Sequence, residues 1–313
     1  MPEQVEKSPN LISNALISNA EFISALISNL GQLKLIKDNK EQMFYNVAAG
    51  FDIETSSFYD HGLKTAIMYE WTFGIGFVSD DQFHTFITYG RTWRQLDTLL
   101  DAIAAIMNLG ASKRLLVYVH NLPFEWQFMR KRFSWSKVFY IDDRKPVYAI
   151  MDNGIEFRCS LKLSGKSLAN TAKDLLKYKT EKMVGDLDYS LIRHYETPLT
   201  PTELGYCYRD VEVMLCYIQE KIEQEGDITR IPLTKTGYVR RYCKSAMFPG
   251  QGKLYEEFDP YEDVDFETSG VSPVERSISR RIYPRQCSPS RDDSLQSWFV
   301  RLYEFLSGEY GCV

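Results

Sequence analysis

The pattern of hydrophobic and polar positions changes along this chain, from an irregular N-terminal stretch to alternating strand and helix patterns from Met43 onward. An apolar run from Met43 to Phe51 indicates a buried strand, and the aromatic and β-branched residues of 65–78 indicate a second. A third strand is predicted over 84–89, and apolar residues at helical spacing predict an amphipathic helix over 94–109. Strands followed by helices in this way favour an α/β fold.

The second half of this region continues the same alternation. The further predicted elements are a strand over 114–119, a helix over 124–132, a strand pair over 147–150 and 155–159, and a polar-to-helical segment over 160–175. Thr200, Pro201 and Glu203 have the spacing of a helix start, with a capping threonine, proline in the first turn and a capping-box glutamate. This last helix is predicted to run to about Glu223.

The two ends of the chain lack this alternation. Residues 11–30 are a near-repeat of five (LISNA, LISNA, EFISA, LISNL), and a period of five does not keep one helical face apolar. We therefore expect a low-complexity leader over 1–42, which forms at most a loose helix. The folded domain is expected over 43–248. The Ser/Arg/Pro-rich stretch over 249–313 predicts an irregular, disordered tail.

Two carboxylates one residue apart follow the first predicted strand. Asp52 and Glu54 would point to the same side of a strand, and hard oxygen ligands close together are what a divalent cation requires. The pattern Asp-x-Glu is common, however, and a solvated strand end is the ordinary alternative; the same pattern recurs at Asp265 and Glu267.

Two further carboxylates stand at informative places. Glu125 opens a predicted helix just beyond a strand end, where ligands of open α/β sheets collect, although a glutamate there also favours the positive helix N-terminus. Tyr206 and Asp210 lie four residues apart and share one helix face. The alternative for Asp210 is an ion pair with Arg209 or another surface charge.

Composition narrows the class of protein. Of 313 residues, 44% are hydrophobic and 25% charged, as in a soluble globular protein. The net charge of −5 excludes a global basic surface, so nucleic-acid binding would depend on a local groove. Six cysteines without C-x-x-C spacing argue against a zinc site and a disulfide scaffold and favour a reducing cytoplasm. No stretch approaches transmembrane length.

Taken together, the motifs FDIET, HNLPFEW and YCYRD resemble, in order and rough spacing, the three exonuclease motifs of family B DNA polymerases, most closely the protein-primed phage branch. The segments GDLDY and TPTEL resemble that branch as well, and the resemblance covers residues 44–241. It implies a ribonuclease H-like exonuclease domain, with a mixed central sheet flanked by helices. The implied activity is 3′–5′ removal of nucleotides from single-stranded DNA ends during DNA replication.

The resemblance also implies roles for individual residues. Two Mg²⁺ ions, or Mn²⁺, would be ligated by Asp52, Glu54, Glu125 and Asp210, and Tyr206 would hydrogen-bond the attacking water or the scissile phosphate. The single-stranded 3′ end would be held by Thr55, Asn121, Phe124, Tyr189, Ser160 and Leu161, while His120 would orient its loop. The implied partner is a single-stranded DNA 3′ end, bound by a monomer in the host cytoplasm without a membrane. A terminal protein would be a partner only of a full-length relative.

Two positions depart from the family pattern. Glu125 stands where the family has aspartate, and its extra methylene shifts the carboxylate oxygens, which matters because Mg²⁺ requires near-ideal geometry. The family lysine that directly precedes GDLDY is Val184 here, with Lys182 two residues earlier.

The carboxylate motifs of the polymerase domain are absent from this frame. With suitable codons, residues 280–287 and 300–309 translated one base later give GGFTHAN and FDYTSSYPA, which resemble polymerase motifs. We therefore hypothesise that a frameshift truncated a polymerase gene. The alternatives are a free-standing exonuclease of the same superfamily, or an inert remnant that binds single-stranded DNA weakly.

Overall fold

A computed structural model describes residues 10–13, 15–38, 40–183 and 191–247. The residues up to Val239 form one compact unit, which contains the whole sheet. A second unit begins at Arg240, and its described part is the end of a helix.

The strands are β1 (Leu11–Ser13), β2 (Leu35–Lys37), β3 (Met43–Tyr45), β4 (Ala48–Asp60), β5 (Leu63–Ser79), β6 (Gln82–Gly90), β7 (Lys113–Val119), β8 (Trp135–Asp142), β9 (Lys145–Met151) and β10 (Ile155–Cys159). The α-helices are α1 (Asn19–Asn29), α2 (Trp93–Ile106), α3 (Leu122–Met129), α4 (Ser160–Ser164), α5 (Leu168–Lys173), α6 (Pro201–Glu225) and α7 (Lys235–Met247). In the described ranges, no helix combines the length and the apolar composition needed to cross a bilayer.

The sheet is mixed, in the order β1-β6-β5-β4-β7-β10-β9-β8, and β3 adds β2 beside β7. At its centre, β4 runs antiparallel to β5 and parallel to β7. The predicted α/β class is confirmed. The strand pair before Cys159 is also confirmed, because β9 and β10 are antiparallel neighbours.

Alternating residues of β4 face two different hydrophobic clusters. Ala49, Phe51 and Ile53 lie in a cluster with the apolar faces of α1, α2 and α3. Ala48 lies in the cluster built on α6, on the opposite side of the sheet. By the same alternation Asp52 and Glu54 share the side that faces α6.

Helix α6 lies close against this side of the sheet because glycine occupies the contact. A Cβ atom added at Gly74 would lie 2.8 Å from Val211 Cγ1 and 2.9 Å from Leu215 Cδ1. The predicted start of α6 is confirmed: Thr200 accepts from the Glu203 backbone, and Glu203 in turn accepts from the Thr200 backbone. The helix extends two residues beyond the predicted end at Glu223.

Two strand predictions differ from the structure. The single strand predicted over Met43 to Phe51 is divided between β3 and β4, and β4 continues to Asp60 because it pairs with β5 along its whole length, with an irregularity after Glu54. Strand β8 has no counterpart among the predictions. It is a sheet edge that is largely exposed, so its sequence lacks the alternation of a half-buried strand.

The N-terminal repeat contributes more to the fold than its pattern indicates. Helix α1 begins with a capping box from Ser18 and Glu21, and Phe22 and Leu26 are completely buried in the cluster with α2. Strand β1 pairs in parallel with β6. The predicted tail over 249–313, including Asp265 and Glu267, lies outside the described residues.

Candidate metal centre

Three carboxylates from distant parts of the chain meet at one edge of the sheet. Asp52, Glu54 and Asp210 each offer an oxygen, and these oxygens all lie within 4.8 Å of one another. Two come from β4 and one from α6. Clustered carboxylate oxygens repel one another unless a cation or protons neutralise them, so the group has the composition of a divalent-cation site.

The topology explains why the group lies beyond the end of β7. The last paired residues of β4 and β7 are Phe51 and Val119, so β4 continues alone on that side from Asp52 onward. The chain leaves β7 and enters α3 at Leu122. The carboxylates therefore stand beyond the carboxyl end of a parallel strand, the position where open α/β sheets bind their ligands.

Asp210 is held by a lysine. Lys182 Nζ donates to Asp210 Oδ2 at 2.7 Å and lies 5.0 Å from the centre of the Tyr206 ring. The other oxygen, Oδ1, is buried and has no hydrogen-bond partner among the described residues. The alternative pairing with Arg209 is not what the structure shows, because the Arg209 guanidinium pairs with Glu212.

Glu125 lies in the first turn of α3 and is only 3% exposed. Its charge raises the pKa of Asp52, and the Glu54 charge raises the pKa of Glu125, although Glu125 is not part of the 4.8 Å group. Its buried Oε2 has no hydrogen-bond partner within the described part of the chain. The structure thus brings the fourth predicted carboxylate beside the other three and leaves one of its oxygens available.

Burial raises the pKa of every carboxyl in the group. For Asp52 burial is the largest cause, and the charges of Glu54, Glu125 and Asp210 raise the pKa further. Burial and the Asp210 charge raise the pKa of Glu54 to about 7. Burial raises the pKa of Asp210 too, while Lys182 partly offsets this. The group therefore favours binding of protons or cations at neutral pH.

Lys182 responds in the opposite sense. Burial alone would lower its pKa, but the Asp210 carboxylate and Tyr206 raise the pKa above the ordinary lysine value. Lys182 is therefore a fixed positive charge between Asp210 and Tyr206. The sequence placed Lys182 only by its distance from the family lysine, and the contact with Asp210 could not be read from that spacing.

The sequence prediction did not include Glu70, a fifth carboxylate near this group. Glu70 lies opposite Glu54 in the β4–β5 register and is 1% exposed. Burial raises the pKa of Glu70 to about 8, and the Glu54 charge adds to this effect. The signal available in the sequence was a single acidic residue within the otherwise apolar strand over 65–78.

Two of the residues expected to hold a 3′ end, Asn121 and Phe124, lie at the start of α3. Asn121 has a left-handed backbone, φ 80° and ψ 50°, which asparagine tolerates better than most residues. Phe124 is 43% exposed, so its ring is available for stacking. Thr55 follows Glu54 in β4 and is half-buried. Tyr189 and Val184 lie outside the described residues.

His120 and Ser160 form a contact behind that turn. The His120 Nδ1 and Ser160 Oγ atoms are 3.1 Å apart, and Ser160 Oγ donates to the Val119 carbonyl at 3.3 Å. Burial, with the Lys182 charge, lowers the pKa of His120 to about 4, so the ring is neutral at neutral pH. Leu161 packs against the hydrophobic cluster. The contact therefore joins the end of β7 to the start of α4.

The structure also identifies an anchor that sequence reasoning missed. The Arg193 backbone donates to Ser56 Oγ at 2.9 Å, and Arg193 Nε donates to Glu203 Oε1 at 2.6 Å. Its guanidinium lies 5.8 Å from the centre of the Tyr69 ring. Arg193 therefore joins the loop before α6 to β4 and β5 beside the carboxylates, and its charge lowers the pKa of Glu54 in part.

Comparison with known proteins leaves the family open. No family model matches the sequence, and no curated protein matches it. Among solved structures, the chain is similar to phi29 DNA polymerase complexed with primer-template DNA and incoming nucleotide substrates, with a TM-score of 0.47 and 15% identity over 71% of this chain and 38% of that chain. It is also similar to phi29 DNA polymerase complexed with single-stranded DNA, with a TM-score of 0.44 and 16% identity over 67% of this chain and 36% of that chain.

The chain thus spans less than two fifths of the length of these structures. At this level of similarity the comparison assigns no activity and no residue role. The motifs and the geometry of the carboxylates are the observations that bear on function.

The donors present fit a divalent cation. The group supplies only hard oxygen ligands, as Mg²⁺ and Mn²⁺ prefer. Unpaired oxygens are rare in protein interiors, yet Asp210 Oδ1 and Glu125 Oε2 are both buried without hydrogen-bond partners in the described ranges. Cation binding is one way to satisfy such buried carboxylate oxygens.

Proposed function

We propose that the chain is a metal-dependent 3′–5′ exonuclease domain of the ribonuclease H-like type, related to the proofreading domain of a protein-primed family B DNA polymerase. The observation that carries the proposal is the convergence of Asp52, Glu54 and Asp210 within 4.8 Å. Asp52 and Glu54 belong to the first motif and Asp210 to the third. In the sequence, only the family resemblance connects these two motifs. The charge of Glu125, from the second motif, acts on Asp52.

The proposed domain begins before α1 rather than at residue 43. Phe22 and Leu26 lie in the same hydrophobic cluster as Phe51 and Phe73 of the central strands, so the sheet and α1 share one core. The C-terminal boundary remains near residue 248, as proposed from the sequence.

The proposed reaction is hydrolysis of the terminal phosphodiester of a single-stranded DNA 3′ end. The carboxylates Asp52, Glu54, Glu125 and Asp210 would hold two Mg²⁺ or Mn²⁺ ions, which supply Lewis-acid activation of water and charge stabilisation of the leaving oxygen. The side chains of the protein would position the phosphate, orient the attacking water and exclude other orientations of the substrate.

Lys182 and Tyr206 are the proposed positioning pair. Lys182 holds Asp210 in one orientation by its 2.7 Å hydrogen bond. It also fixes the Tyr206 ring, whose hydroxyl would hydrogen-bond the attacking water or the scissile phosphate. A lysine near a phosphodiester further offsets the negative charge that develops during the reaction.

Two of the proposed DNA-binding residues, Asn121 and Phe124, lie at the start of α3. Phe124 offers an exposed ring on which a terminal base can stack without regard to its sequence. Thr55 and Tyr189 are proposed to contact the same strand. Ser160 and His120 keep the turn in place through their mutual contact.

The test is degradation of a 5′-labelled single-stranded DNA oligonucleotide in Mg²⁺ or Mn²⁺. The wild type is expected to give a ladder that shortens from the 3′ end, and Asp52→Ala is expected to abolish it. Asp101→Ala, which removes an exposed aspartate of α2, is the matched control and should keep full activity. A folded wild type that gives no ladder in either metal would refute the exonuclease proposal.

A further inference from the structure

A fifth carboxylate, Glu70, lies behind the group Asp52, Glu54 and Asp210 and belongs to none of the three motifs. It occupies the middle of β5 and is 1% exposed. A carboxylate so deeply buried is rare unless it is paired or binds a metal. The buried Glu70 carboxylate therefore requires a hydrogen-bond donor or a cation as its partner.

Glu70 faces the carboxylates on β4. The register pairs Glu54 with Glu70 and Asp52 with Thr72. These four residues therefore form two successive cross-strand pairs on the same side of the sheet. Directly opposed residues of an antiparallel pair have Cβ atoms about 4.5–5.5 Å apart on the same side of the sheet. The Glu70 side chain consequently lies on the side of α6, next to Glu54. The electrostatic effect of Glu70 on Asp52 agrees with this placement.

The two Glu70 oxygens differ in their partners. Thr72 Oγ1 donates to Glu70 Oε1 at 2.6 Å. Oε2 is buried and has no hydrogen-bond partner in the described part of the chain. Cys207 of α6 lies near enough for its thiol to interact with the carboxylate.

The nearby cations have other partners. Lys182 donates to Asp210, and Arg193 donates to Glu203. Arg91 donates from Nε to the Tyr69 carbonyl at 2.7 Å. The chain therefore brings a fifth carboxylate to the site and, in these contacts, directs its positive charges to other acceptors.

We propose that Glu70 is a fifth carboxylate ligand of the metal centre, which holds a divalent cation jointly with Glu54 on the β5 side of the group. Glu70 lies outside the 4.8 Å group, so this cation position is distinct from the one between Asp52, Glu54 and Asp210, and Glu54 is shared by both. The inference rests on the proposed metal-dependent function. It predicts a position that the four motif carboxylates would not supply by themselves.

The test measures Mn²⁺ binding to the whole chain by isothermal titration calorimetry, without any nucleic acid. Even outer-shell partners of a metal contribute about tenfold or more to affinity, so Glu70→Gln should weaken Mn²⁺ binding at least about tenfold or remove one binding event. Glu156→Gln is the matched control, since Glu156 is also buried on a strand but is paired with Arg114 and Arg158. It should bind Mn²⁺ as the wild type does.

A thermal-unfolding series separates a ligand from a merely structural residue. Without metal, Glu70→Gln should unfold at or above the wild-type temperature, because a buried unpaired carboxylate oxygen is removed. The rise in unfolding temperature on adding Mn²⁺ should be smaller than in the wild type, because a weaker ligand stabilises the folded state less. If Glu70→Gln is not folded, Glu70→Asp, which keeps the charge on a shorter side chain, should show the same weakened binding.

The outcomes distinguish the two proposals. If the wild type binds Mn²⁺ and Asp52→Ala does not, while Glu70→Gln binds it with wild-type affinity and stoichiometry, only the role of Glu70 is refuted. If the wild type binds no Mn²⁺ at all, the metal centre fails and the role of Glu70 fails with it.

Discussion

The contact between Lys182 and Asp210 is the most informative side-chain interaction of the site. The family position for a lysine is Val184 here, and the sequence left open whether Lys182 replaces it. The structure places Lys182 Nζ 2.7 Å from Asp210 and 5.0 Å from the ring centre of Tyr206. Lys182 therefore reaches Asp210 although it stands two residues before Val184.

Removal of Lys182 should reduce catalysis more than stability. Lys182→Ala is expected to lower the single-turnover rate of oligonucleotide cleavage by about 10²-fold or more, the typical cost of losing one transition-state donor. Lys182→Arg should restore part of the rate, because the positive charge returns. Lys177→Ala, which removes an exposed lysine paired with Glu223, is the control. A wild-type rate in Lys182→Ala would exclude its proposed role.

Glu54 gives the metal-free protein a defined pH dependence. Burial and the Asp210 charge raise the pKa of Glu54 from its ordinary value of 4.5 to about 7 in the folded protein, so the folded state keeps a proton that the unfolded state releases. The free energy of unfolding should therefore fall as pH rises from about 4.5 to above about 7. Thermal unfolding in a chelator at pH 5 to 8 measures this effect.

Glu54→Gln provides the comparison, because glutamine does not titrate. Relative to this variant, the metal-free wild type should lose stability as pH rises, and saturating Mn²⁺ should remove much of that loss since the cation replaces the proton. A difference in unfolding temperature that stays constant from pH 5 to 8 would contradict the raised pKa of Glu54.

At the scale of single residues, the sequence predicts same-side carboxylates better than it predicts contacts. The i, i+2 spacing of Asp52 and Glu54 is enough to place both on one side of a strand. Glu70 was missed because its proximity to Glu54 depends on the register between β4 and β5, which no local pattern specifies. The bulge after Glu54 is equally invisible in the sequence.

Among the elements, α6 determines whether the site can form. Its start was predictable because Thr200, Pro201 and Glu203 act locally through backbone capping. Its placement on β4 and β5 was not, because it depends on a long-range fit between Gly74 and the side chains of Val211 and Leu215. Strand β8 was missed for the related reason that an exposed edge carries little hydrophobic signal.

A larger residue at Gly74 should displace α6. An added Cβ would lie 2.8 Å from Val211 Cγ1, so Gly74→Ala is expected to destabilise the protein by about 1–3 kcal/mol, the usual cost of overpacking a core. Because Asp210 lies one residue before Val211, Mn²⁺ affinity should fall as well. Denaturant unfolding and calorimetry measure the two effects.

Gly31→Ala is the matched control for this change. Nothing lies within 4 Å of a Cβ built at Gly31, so the substitution should alter neither stability nor Mn²⁺ affinity to a similar extent. If Gly74→Ala behaved like Gly31→Ala, the close approach of α6 to the sheet would not be what positions Asp210.

At the scale of the whole molecule, the N-terminal segment shows the limit of pattern-based prediction. The five-residue repeat predicts a leader without a stable face, but Phe22 and Leu26 are four apart and bury together in α1. Packing against the sheet, rather than intrinsic periodicity, makes this helix part of the core. The frameshift hypothesis concerns residues outside the described ranges and stays a hypothesis that the DNA sequence of the gene would test.

The α/β class followed from the succession of elements, whereas the strand order did not. Several topologies accommodate the same strands and helices, and the sheet order β1-β6-β5-β4-β7-β10-β9-β8 depends on long-range pairing. The site also depends on long-range packing, because Asp52 and Asp210 meet only when β4 and α6 are neighbours. In the sequence, only the family resemblance grouped Asp52 and Asp210 into one predicted site, because local patterns do not specify contacts between distant elements.

The most direct test of the metal centre is an anomalous difference map from crystals of the protein soaked in Mn²⁺. The account predicts a peak about 2.0–2.6 Å from oxygens of Asp52, Glu54 and Asp210, the range of oxygen ligation of hard divalent cations. A second peak beside Glu70 is expected if that residue is a ligand. A map without a peak among the three carboxylates, with Lys182 still bonded to Asp210, would contradict the central claim that this cluster binds metal.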